Sequence, residues 1–175
     1  PTPFAKGGEG LLYEIKAPKA YQKYVAKLYY SEKRTKEREK KIDYLALNPP
    51  AFVQQEAQQL AWPIAKIEKN GSFAGFLMPK VAGEPLEILC TAKLPAKLST
   101  HWQRFAFGKP NALALRQRVC YNIAVALQEL HAHRQYAVVD LKPENILIQA
   151  NGIVSIVDLD SIEVFENGEL KFAAP

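Results

Sequence analysis

The chain has 175 residues, of which 48% are hydrophobic and 23% are charged, and its formal net charge is +5. These proportions exclude an intrinsically disordered chain and predict one folded core or two small lobes. No apolar run approaches the ~18 residues that a membrane-spanning helix needs, and residues 1–10 lack the basic and apolar segments of a signal peptide. We therefore expect a cytoplasmic protein with no membrane partner.

The first 80 residues predict a small antiparallel sheet with one long helix. Three segments are rich in the β-branched, aromatic and aliphatic residues that strands favour: residues 11–15, 24–30 and 73–78. Residues 31–47, between the second and third segments, predict a helix. Ser31 can cap its start, and Asn48-Pro49-Pro50 ends it.

Much of the positive charge lies in residues 33–41 of this predicted helix. A basic run can bind nucleic acid, whereas its interspersed glutamates and helical spacing favour a solvated helix face. No zinc-finger spacing or aromatic-rich RNA signature accompanies the run. We therefore expect no nucleic-acid partner, and a basic nucleic-acid-binding domain is kept as a rival hypothesis.

The pattern after Gly83 changes to a loop-like stretch and then to a strongly amphipathic helix. Apolar residues recur at helical spacing between residues 115 and 130, and Asn111 can cap the start. Two pairs of short apolar runs follow, with Asn-Gly at residues 151–152 and 167–168. Because Asn-Gly between apolar runs is the strongest short hairpin signal, we expect two hairpins there.

The two cysteines, Cys90 and Cys120, have neither paired nor metal-ligand spacing. Cys120 also lies within the apolar pattern of the second predicted helix. We therefore expect buried free thiols and no disulfide.

Two features of the first half are compatible with phosphate binding. Gly7-Gly8-Glu9-Gly10 would let backbone amides approach a phosphate, although glycine turns are also common in hairpins. Lys27 interrupts an otherwise apolar strand, which also suits a lysine whose amine reaches solvent from an edge strand. Each feature alone leaves both interpretations open.

A third feature, in residues 139–158, is more specific. Asp140 is followed by Lys142 and Asn145, and Asp158 lies at the end of the first predicted hairpin. This spacing resembles the catalytic loop and the metal-binding motif of the protein-kinase family. The glycine turn and the lysine strand lie upstream in the order that this family has, so the resemblance spans nearly the whole chain.

The resemblance implies an α+β, protein-kinase-like fold with two lobes. Residues 1–80 would form the N-lobe, a small antiparallel sheet plus one helix. Residues 81–175 would form the hinge and part of a mainly helical C-lobe with short hairpins. Since the sequence ends shortly after Asp158, we expect a C-lobe truncated at its C-terminus and weak activity of this fragment by itself.

The resemblance also implies a role for each residue of the catalytic loop. Asp140 would orient the attacking hydroxyl and accept its proton, and Lys142 would lie near the transferred phosphate, as in serine/threonine kinases. Asn145 and Asp158 would hold magnesium, which bridges the phosphates of ATP. Phosphoryl transfer needs such alignment and charge compensation more than covalent help from the protein.

The remaining residues that the resemblance assigns to ATP are the glycine turn, the lysine with its helix partner, and the adenine-binding hinge: Gly7, Gly8, Gly10, Leu12, Lys27, Glu39, Met78, Pro79 and Val81. Glu39 is preferred to Glu37 as the partner of Lys27 because it shares a helix face with apolar residues. Met78 would be the gatekeeper. Pro79 is compatible with a hinge, because its carbonyl can accept a hydrogen bond and the amide of Val81 can donate one.

Three places depart from the family pattern. Ala5 stands where the first loop glycine would be, Val138 and Val139 replace a His-Arg pair, and Asp160 replaces the glycine after Asp158. Loss of the arginine removes the usual receptor for a phosphate on the activation segment. The Asp-Leu-Asp form resembles a divergent bacterial subgroup whose members often accompany metal-dependent protein phosphatases.

The expected function is ATP-dependent phosphoryl transfer to serine or threonine of a protein substrate. One rival is a pseudokinase or nucleotide-binding interaction scaffold, and another is a kinase-like enzyme that acts on a small molecule. A scaffold has no physical need for the four groups of Lys27, Asp140, Asn145 and Asp158. The segment that begins at Lys142 favours a protein substrate over a small molecule.

Overall fold

The computed structural model describes residues 2–53, 57–132 and 134–175. Within these ranges the chain forms two α-helices and twelve β-strands in three sheets. It divides into two compact units, Pro1–Pro50 with Ala61–Lys80 and Ala51–Leu60 with Val81–Pro175. No helix in the described ranges is long and apolar enough to cross a membrane.

The strands are short, and several have only two or three residues. In chain order they are β1 (Ala5–Lys6), β2 (Gly10–Glu14), β3 (Tyr24–Tyr29), β4 (Gln58–Leu60), β5 (Ala65–Lys69), β6 (Ser72–Pro79), β7 (Glu84–Pro85), β8 (Tyr136–Ala137), β9 (Ile146–Ile148), β10 (Val154–Ile156), β11 (Glu163–Glu166) and β12 (Glu169–Phe172). The helices are α1 (Lys36–Leu47) and α2 (Ala112–His131).

The first unit is built on a five-stranded sheet of order β1-β2-β3-β6-β5, in which every pair is antiparallel. Burial alternates along β3, so that Val25, Lys27 and Tyr29 share its buried face. Helix α1 packs against β5 and β6 and buries Ile42 and Leu45 completely. The three strands expected from the apolar pattern are present as β2, β3 and β6.

Helix α1 begins later than the sequence predicts. Residues Ser31–Lys33 form a 3₁₀ turn, and Thr35 is the residue that caps the helix. The Thr35 Oγ1 accepts a hydrogen bond from the amide of Arg38 at 3.1 Å, which satisfies one of the free amides of the first turn. The helix ends at Leu47, before the predicted Asn-Pro-Pro stop.

The second unit contains two further sheets. One has the order β4-β10-β9-β7, with β4 parallel to β10 and the other pairs antiparallel. The other has the order β12-β11-β8 and is antiparallel. A core of buried apolar residues lies among α2, the hairpin β9–β10 and two 3₁₀ turns: Ile88, Leu89, Trp102, Phe105, Val119, Ile146, Ile148 and Val154.

The expected α+β, protein-kinase-like fold with a mainly helical C-lobe is wrong. Among the described residues, the second unit has two sheets and a single α-helix, so most of its regular structure is strand. The strands β4, β7 and β8 have too few residues to show an alternating pattern, and they form by pairing with distant segments. The roles of 1–80 as N-lobe and 81–175 as hinge and C-lobe stay predictions.

The expectation that the cysteines are buried is also wrong. Cys90 and Cys120 are exposed free thiols. Cys120 follows Val119, which is 1% exposed and faces the core of the second unit. Because successive helical residues are rotated by about 100°, the neighbour of a core residue can face solvent.

Candidate phosphate-binding and metal-binding residues

Residues 7–10 form a tight turn between the antiparallel strands β1 and β2. The Gly7 amide donates to the Gly10 carbonyl at 3.0 Å, and the Tyr30 hydroxyl donates to the Gly7 carbonyl at 3.3 Å. A Cβ at Gly10 would collide with the Leu28 carbonyl on β3. Close strand packing therefore explains why residue 10 is glycine.

Strand packing does not explain why residues 7 and 8 are glycine. Among the described residues, a Cβ on Gly8 would meet nothing within 4 Å, and one on Gly7 would meet only the Gly10 carbonyl at 3.9 Å. Neither residue has the positive φ that favours glycine. Both are exposed. Exposed backbone without side chains is the arrangement that lets a ligand approach amide groups closely.

Lys27 lies in the middle of the central strand β3, and it is only 7% exposed. The sheet register places Leu12 opposite it on β2 and Phe76 opposite it on β6. Its Nζ lies 5.6 Å from the centroid of the Tyr29 ring and 5.8 Å from that of Phe76. Lys27 is therefore not an edge-strand lysine whose amine reaches solvent. Because a buried amine is costly, it marks a candidate functional group.

Glu39, the predicted helix partner of Lys27, contacts Lys66 on β5. The Lys66 Nζ lies 3.2 Å from Glu39 Oε1, 3.2 Å from Asp43 Oδ2 and 3.5 Å from Glu68 Oε1. Hydrogen bonds to Glu39 and then to Asp43 raise the pKa of the Lys66 ammonium. The pairs with Glu39 and Asp43 join α1 to the sheet. The pairing of Glu39 with Lys27 stays a prediction.

The predicted adenine-binding residues lie at the end of β6 and just beyond it. Met78 is 9% exposed and pairs with Val25, and Pro79 pairs with Tyr24. Val81 is the first residue of the second segment of the other unit. Their role as an adenine hinge stays a prediction.

Three residues of the predicted catalytic loop form a hydrogen-bonded cluster in the second unit. The Lys142 Nζ donates to Asp140 Oδ2 at 2.6 Å. The Asn145 Nδ2 donates to the Asp140 carbonyl oxygen at 2.9 Å and to its Oδ2 at 3.1 Å. The hydrogen bond from Lys142 is the main reason why the pKa of Asp140 lies below its ordinary value of 3.8. Asp140 is therefore an oriented carboxylate that is ionised at neutral pH.

The hairpin β9–β10 brings Asn145 and Asp158 to the same end. Asn145 immediately precedes β9, and Asp158 follows shortly after β10. Ile146 pairs with Ile156, and one step further out the Val157 amide donates to the Asn145 carbonyl at 2.9 Å. The backbone pairing therefore explains why two residues so far apart in sequence lie at one hairpin end.

The backbone of Asp158 is unusual. Its φ of 61° and ψ of 34° lie in the left-handed region, which residues other than glycine rarely adopt. The Ser161 Oγ donates to the Asp158 carbonyl at 2.6 Å and helps to hold this conformation. The pKa of Lys142 is raised mainly by its hydrogen bond to Asp140, and the charge of Asp158 adds to the effect. Aspartate adopts this region more readily than most residues, and Asn70, Asn111, Arg134 and Asn167 also have positive φ.

Asn145 and Asp158 suit the ligand preference of magnesium. The Asn145 amide nitrogen is engaged by Asp140, which leaves the amide oxygen as the side that can bind a cation. Magnesium takes oxygen ligands and usually keeps waters and substrate phosphates beside one or two protein ligands. In the parts of the chain that the structure describes, no group of three or more His, Cys, Asp or Glu could hold a metal ion.

Two contacts that support this loop could not be expected from the sequence pattern. The His131 Nε2 at the end of α2 accepts a hydrogen bond from the Val138 amide at 3.2 Å, just before Asp140. The buried Asn122 on α2 donates from Nδ2 to the Gly152 carbonyl in the hairpin turn at 2.9 Å. Both contacts join α2 to the segments that carry the candidate residues.

The predicted site residues thus form two groups, one in each unit. The first unit has the glycine turn and Lys27, and the second has Asp140 with Lys142, Asn145 and Asp158. No family model and no curated protein matches the chain.

Proposed function

We propose that the chain transfers a phosphoryl group from ATP to serine or threonine side chains of a protein substrate. The observation that carries this proposal is the hydrogen-bonded cluster of Asp140, Lys142 and Asn145. Asp158 lies at the same hairpin end as Asn145. An ionised carboxylate, an ammonium group and hard oxygen ligands are the groups that phosphoryl transfer requires.

In the proposed reaction Asp140 accepts a hydrogen bond from the acceptor hydroxyl and takes up its proton as the oxygen attacks the γ-phosphorus. The bond between the γ-phosphorus and the β,γ-bridging oxygen breaks, and ADP leaves with that oxygen. Asn145 fixes the direction of the Asp140 carboxylate through its Nδ2. Lys142 provides positive charge for the transferred phosphate, and its flexible stem allows the ammonium to leave Asp140. Asn145 and Asp158 would hold magnesium, which supplies compensation for the phosphate charge when it is bound.

Residues of the first unit are proposed to bind the nucleotide. Gly7 and Gly8 offer open backbone for the phosphates, and Lys27 offers a positive charge that the fold keeps away from bulk water. Gly10 and Leu12 lie on β2 and support the glycine turn. Leu12 is the residue of β2 that pairs with Lys27 on β3. The adenine contacts of Met78, Pro79 and Val81 and the role of Glu39 are proposed from the resemblance alone.

One observation favours a second candidate, a nucleotide-binding scaffold that does not transfer phosphate. The Asp140 Oδ2 is already engaged by Lys142 at 2.6 Å and by Asn145 at 3.1 Å. A carboxylate held in an ion pair is a weaker proton acceptor than a free one, since the pair stabilises its ionised form. In a scaffold the ion pair between Lys142 and Asp140 would stay intact.

Two substitutions test the proposal and separate the candidates. Asp140→Asn should keep MgATP binding and lose phosphorylation of a generic protein substrate, because the residue acts on the acceptor hydroxyl. Lys27→Met should weaken MgATP binding in calorimetry. Glu169→Gln, on an exposed strand of the second unit, is the matched control and should change neither measurement.

Each outcome has a distinct meaning. Phosphorylation by Asp140→Asn at the wild-type rate would refute its role as the base. MgATP binding without any transfer by the wild-type chain would favour the scaffold. Absence of MgATP binding to the wild-type chain would refute both candidates.

The proposal extends to partners and location. A metal-dependent protein phosphatase as partner is proposed from the resemblance, and a cytoplasmic location is proposed from the sequence. A nucleic-acid partner is not proposed, because the basic run of α1 does not form one exposed basic face. Lys41 is 5% exposed, and the side chain of Arg38 is 12% exposed and paired with Glu9.

A further inference from the structure

The glycine turn carries one side chain that can hold charge, that of Glu9, and it is paired with helix α1. The Glu9 Oε1 lies 2.6 Å from the Arg38 Nη2, and the two side chains are 25% and 12% exposed. Gly7 and Gly8, next to Glu9, are exposed. A free carboxylate beside them would repel a phosphate, and the Arg38 guanidinium removes that repulsion by neutralising it.

Two contacts hold Arg38 in place, one through its side chain and one through its backbone. Its guanidinium carbon lies 4.7 Å from the centroid of the Tyr29 ring, which is 1% exposed. Its amide is bound by the helix cap Thr35 at 3.1 Å. Its Nη1 is enclosed and has no hydrogen-bond partner among the described residues. A planar guanidinium can stack on a ring and bind a carboxylate at the same time, whereas the point charge of lysine cannot reproduce this geometry.

The backbone of the turn is bound to the same strand region. The Tyr30 amide donates to the Glu9 carbonyl at 3.0 Å, and the Tyr30 hydroxyl donates to the Gly7 carbonyl at 3.3 Å. Glu9 is thus held by its backbone at the end of β3 and by its side chain on α1. On the other side, α1 is fixed to β5 through Lys66.

We propose that Arg38 is a positioning residue that holds the glycine turn in a phosphate-accepting form through Glu9 and cancels the charge of Glu9. This inference rests on the proposed function and adds that ATP affinity depends on a side chain that does not touch ATP. It also couples the position of α1 to the glycine turn. A displacement of α1 would release Glu9, loosen the turn and weaken ATP binding.

The test uses Arg38→Met, Glu9→Gln, the double variant and Lys40→Met. Lys40 is an exposed lysine on the same helix, so its replacement controls for the loss of one positive charge. Amide hydrogen exchange of residues 7–10 without nucleotide reports the order of the turn, and calorimetry with MgATP reports binding. Arg38→Met should increase the exchange rates and weaken MgATP binding, each at least about tenfold. Lys40→Met should leave both near wild type.

Glu9→Gln alone and the double variant with Arg38→Met decide the mechanism, because both break the pair. Glu9→Gln should increase the exchange rates of residues 7–10 as Arg38→Met does, and the double variant should regain only the part of the MgATP affinity that the unneutralised Glu9 carboxylate costs. Wild-type exchange and wild-type MgATP affinity in Glu9→Gln, beside a loss in Arg38→Met, would show that Arg38 binds phosphate itself and would overturn the positioning role. Unchanged exchange of residues 7–10 in Arg38→Met would overturn it as well.

Failure of the inference is distinguishable from failure of the proposed function. If the wild-type chain binds no MgATP, the proposed function is refuted, and the exchange rates in Arg38→Met still decide whether Arg38 orders the turn. If Arg38→Met does not fold, Arg38→Lys and Glu9→Gln carry the test. In that case Arg38→Lys should still loosen the turn, since lysine keeps the charge and loses the stacking geometry, and wild-type exchange would overturn the inference.

Discussion

Gly8→Ala tests whether the glycine turn is a ligand-binding turn or an ordinary hairpin turn. Among the described residues a Cβ at Gly8 would meet nothing within 4 Å, and the φ of Gly8 is not positive. The fold can therefore accept alanine without a clash. Because alanine has less conformational freedom in the unfolded chain, the free energy of unfolding should stay the same or rise by about 0.4–1 kcal/mol. For a chain of this size that corresponds to a rise in melting temperature of up to about 4 °C.

The effect on MgATP should have the opposite sign. A phosphate that receives hydrogen bonds from the amides of this turn would lie against the new methyl group, since residues 7 and 8 are the exposed part of the turn. We expect the MgATP dissociation constant to rise at least about tenfold, which is a loss of about 1.4 kcal/mol of binding free energy. The free energy of unfolding would then stay the same or rise while the affinity for MgATP falls. If residues 7–10 were an ordinary hairpin turn, the substitution would not lower the affinity for MgATP.

Gly10→Ala is the matched comparison, because its Cβ would collide with the Leu28 carbonyl. This variant should lose about 1–3 kcal/mol of stability, as overpacked substitutions do. Thermal melting with and without MgATP, together with calorimetry, measures both quantities for both variants. MgATP binding by Gly8→Ala with wild-type affinity would refute the phosphate-binding role. A loss of stability in Gly8→Ala would refute the structural argument.

Asp158→Asn should weaken magnesium-dependent ATP binding, which calorimetry with and without magnesium measures. Asparagine tolerates the left-handed backbone, so thermal melting should show that the variant still folds. Lys142→Met should shift the acid limb of the kcat–pH profile to higher pH. The hydrogen bond from Lys142 lowers the pKa of Asp140, so the Asp140 base stays ionised until the pH falls through that lowered value. Removal of Lys142 raises the pKa, so the base is protonated at a higher pH. An unshifted limb would contradict this cause. Asn122→Ala should lose about 1–3 kcal/mol in urea unfolding, since it removes the buried hydrogen bond between α2 and the hairpin turn. The resemblance to protein kinases predicts, at the position of Val139, an arginine that would bind an activation-segment phosphate, so phosphatase treatment should leave the proposed activity unchanged. A large loss would argue against this reasoning.

Elements that depend on local sequence could be predicted. The strands β2, β3 and β6 follow from runs of strand-forming residues, and α2 follows from apolar spacing. The hairpin β9–β10 follows from the Asn-Gly at residues 151–152, and the Gly152 φ of 91° shows the left-handed turn position that glycine allows. These features depend on residues that are near each other in sequence.

The sheet-rich character of the second unit depends on pairs that are far apart in sequence. Strand β4 lies parallel to β10, and the Ser155 Oγ donates to Gln59 Oε1 at 3.2 Å across 96 residues. Three residues cannot show a period that separates strand from loop, so β4 becomes a strand only when β10 is beside it. The prediction of a mainly helical lobe came from the resemblance and had no such pairing information.

The candidate site likewise has some contacts that the local sequence predicts and others that depend on residues far apart in the chain. The spacing of Asp140 and Asn145 predicted two residues that the structure joins by hydrogen bonds. The pairs of Arg38 with Glu9 and of Lys66 with Glu39 join residues 29 and 27 positions apart. In the sequence these are ordinary charged residues of a turn, a polar helix and a strand, and only the packing of sheet and helix brings them together.

The physical costs of the candidate residues argue for a nucleotide site. Lys27 places an amine in the buried part of the first unit at a desolvation cost, and a glycine that the fold does not need costs about 0.5–1 kcal/mol of chain entropy. Neither feature adds to the core, and both suit groups that bind phosphate. They support nucleotide binding in an enzyme and in a scaffold alike. Asp140 differs, because it is ionised, 45% exposed and oriented by Asn145, and the proposed transfer reaction is the candidate function that would use such a carboxylate. The comparison of Asp140→Asn with Lys27→Met therefore separates transfer from binding.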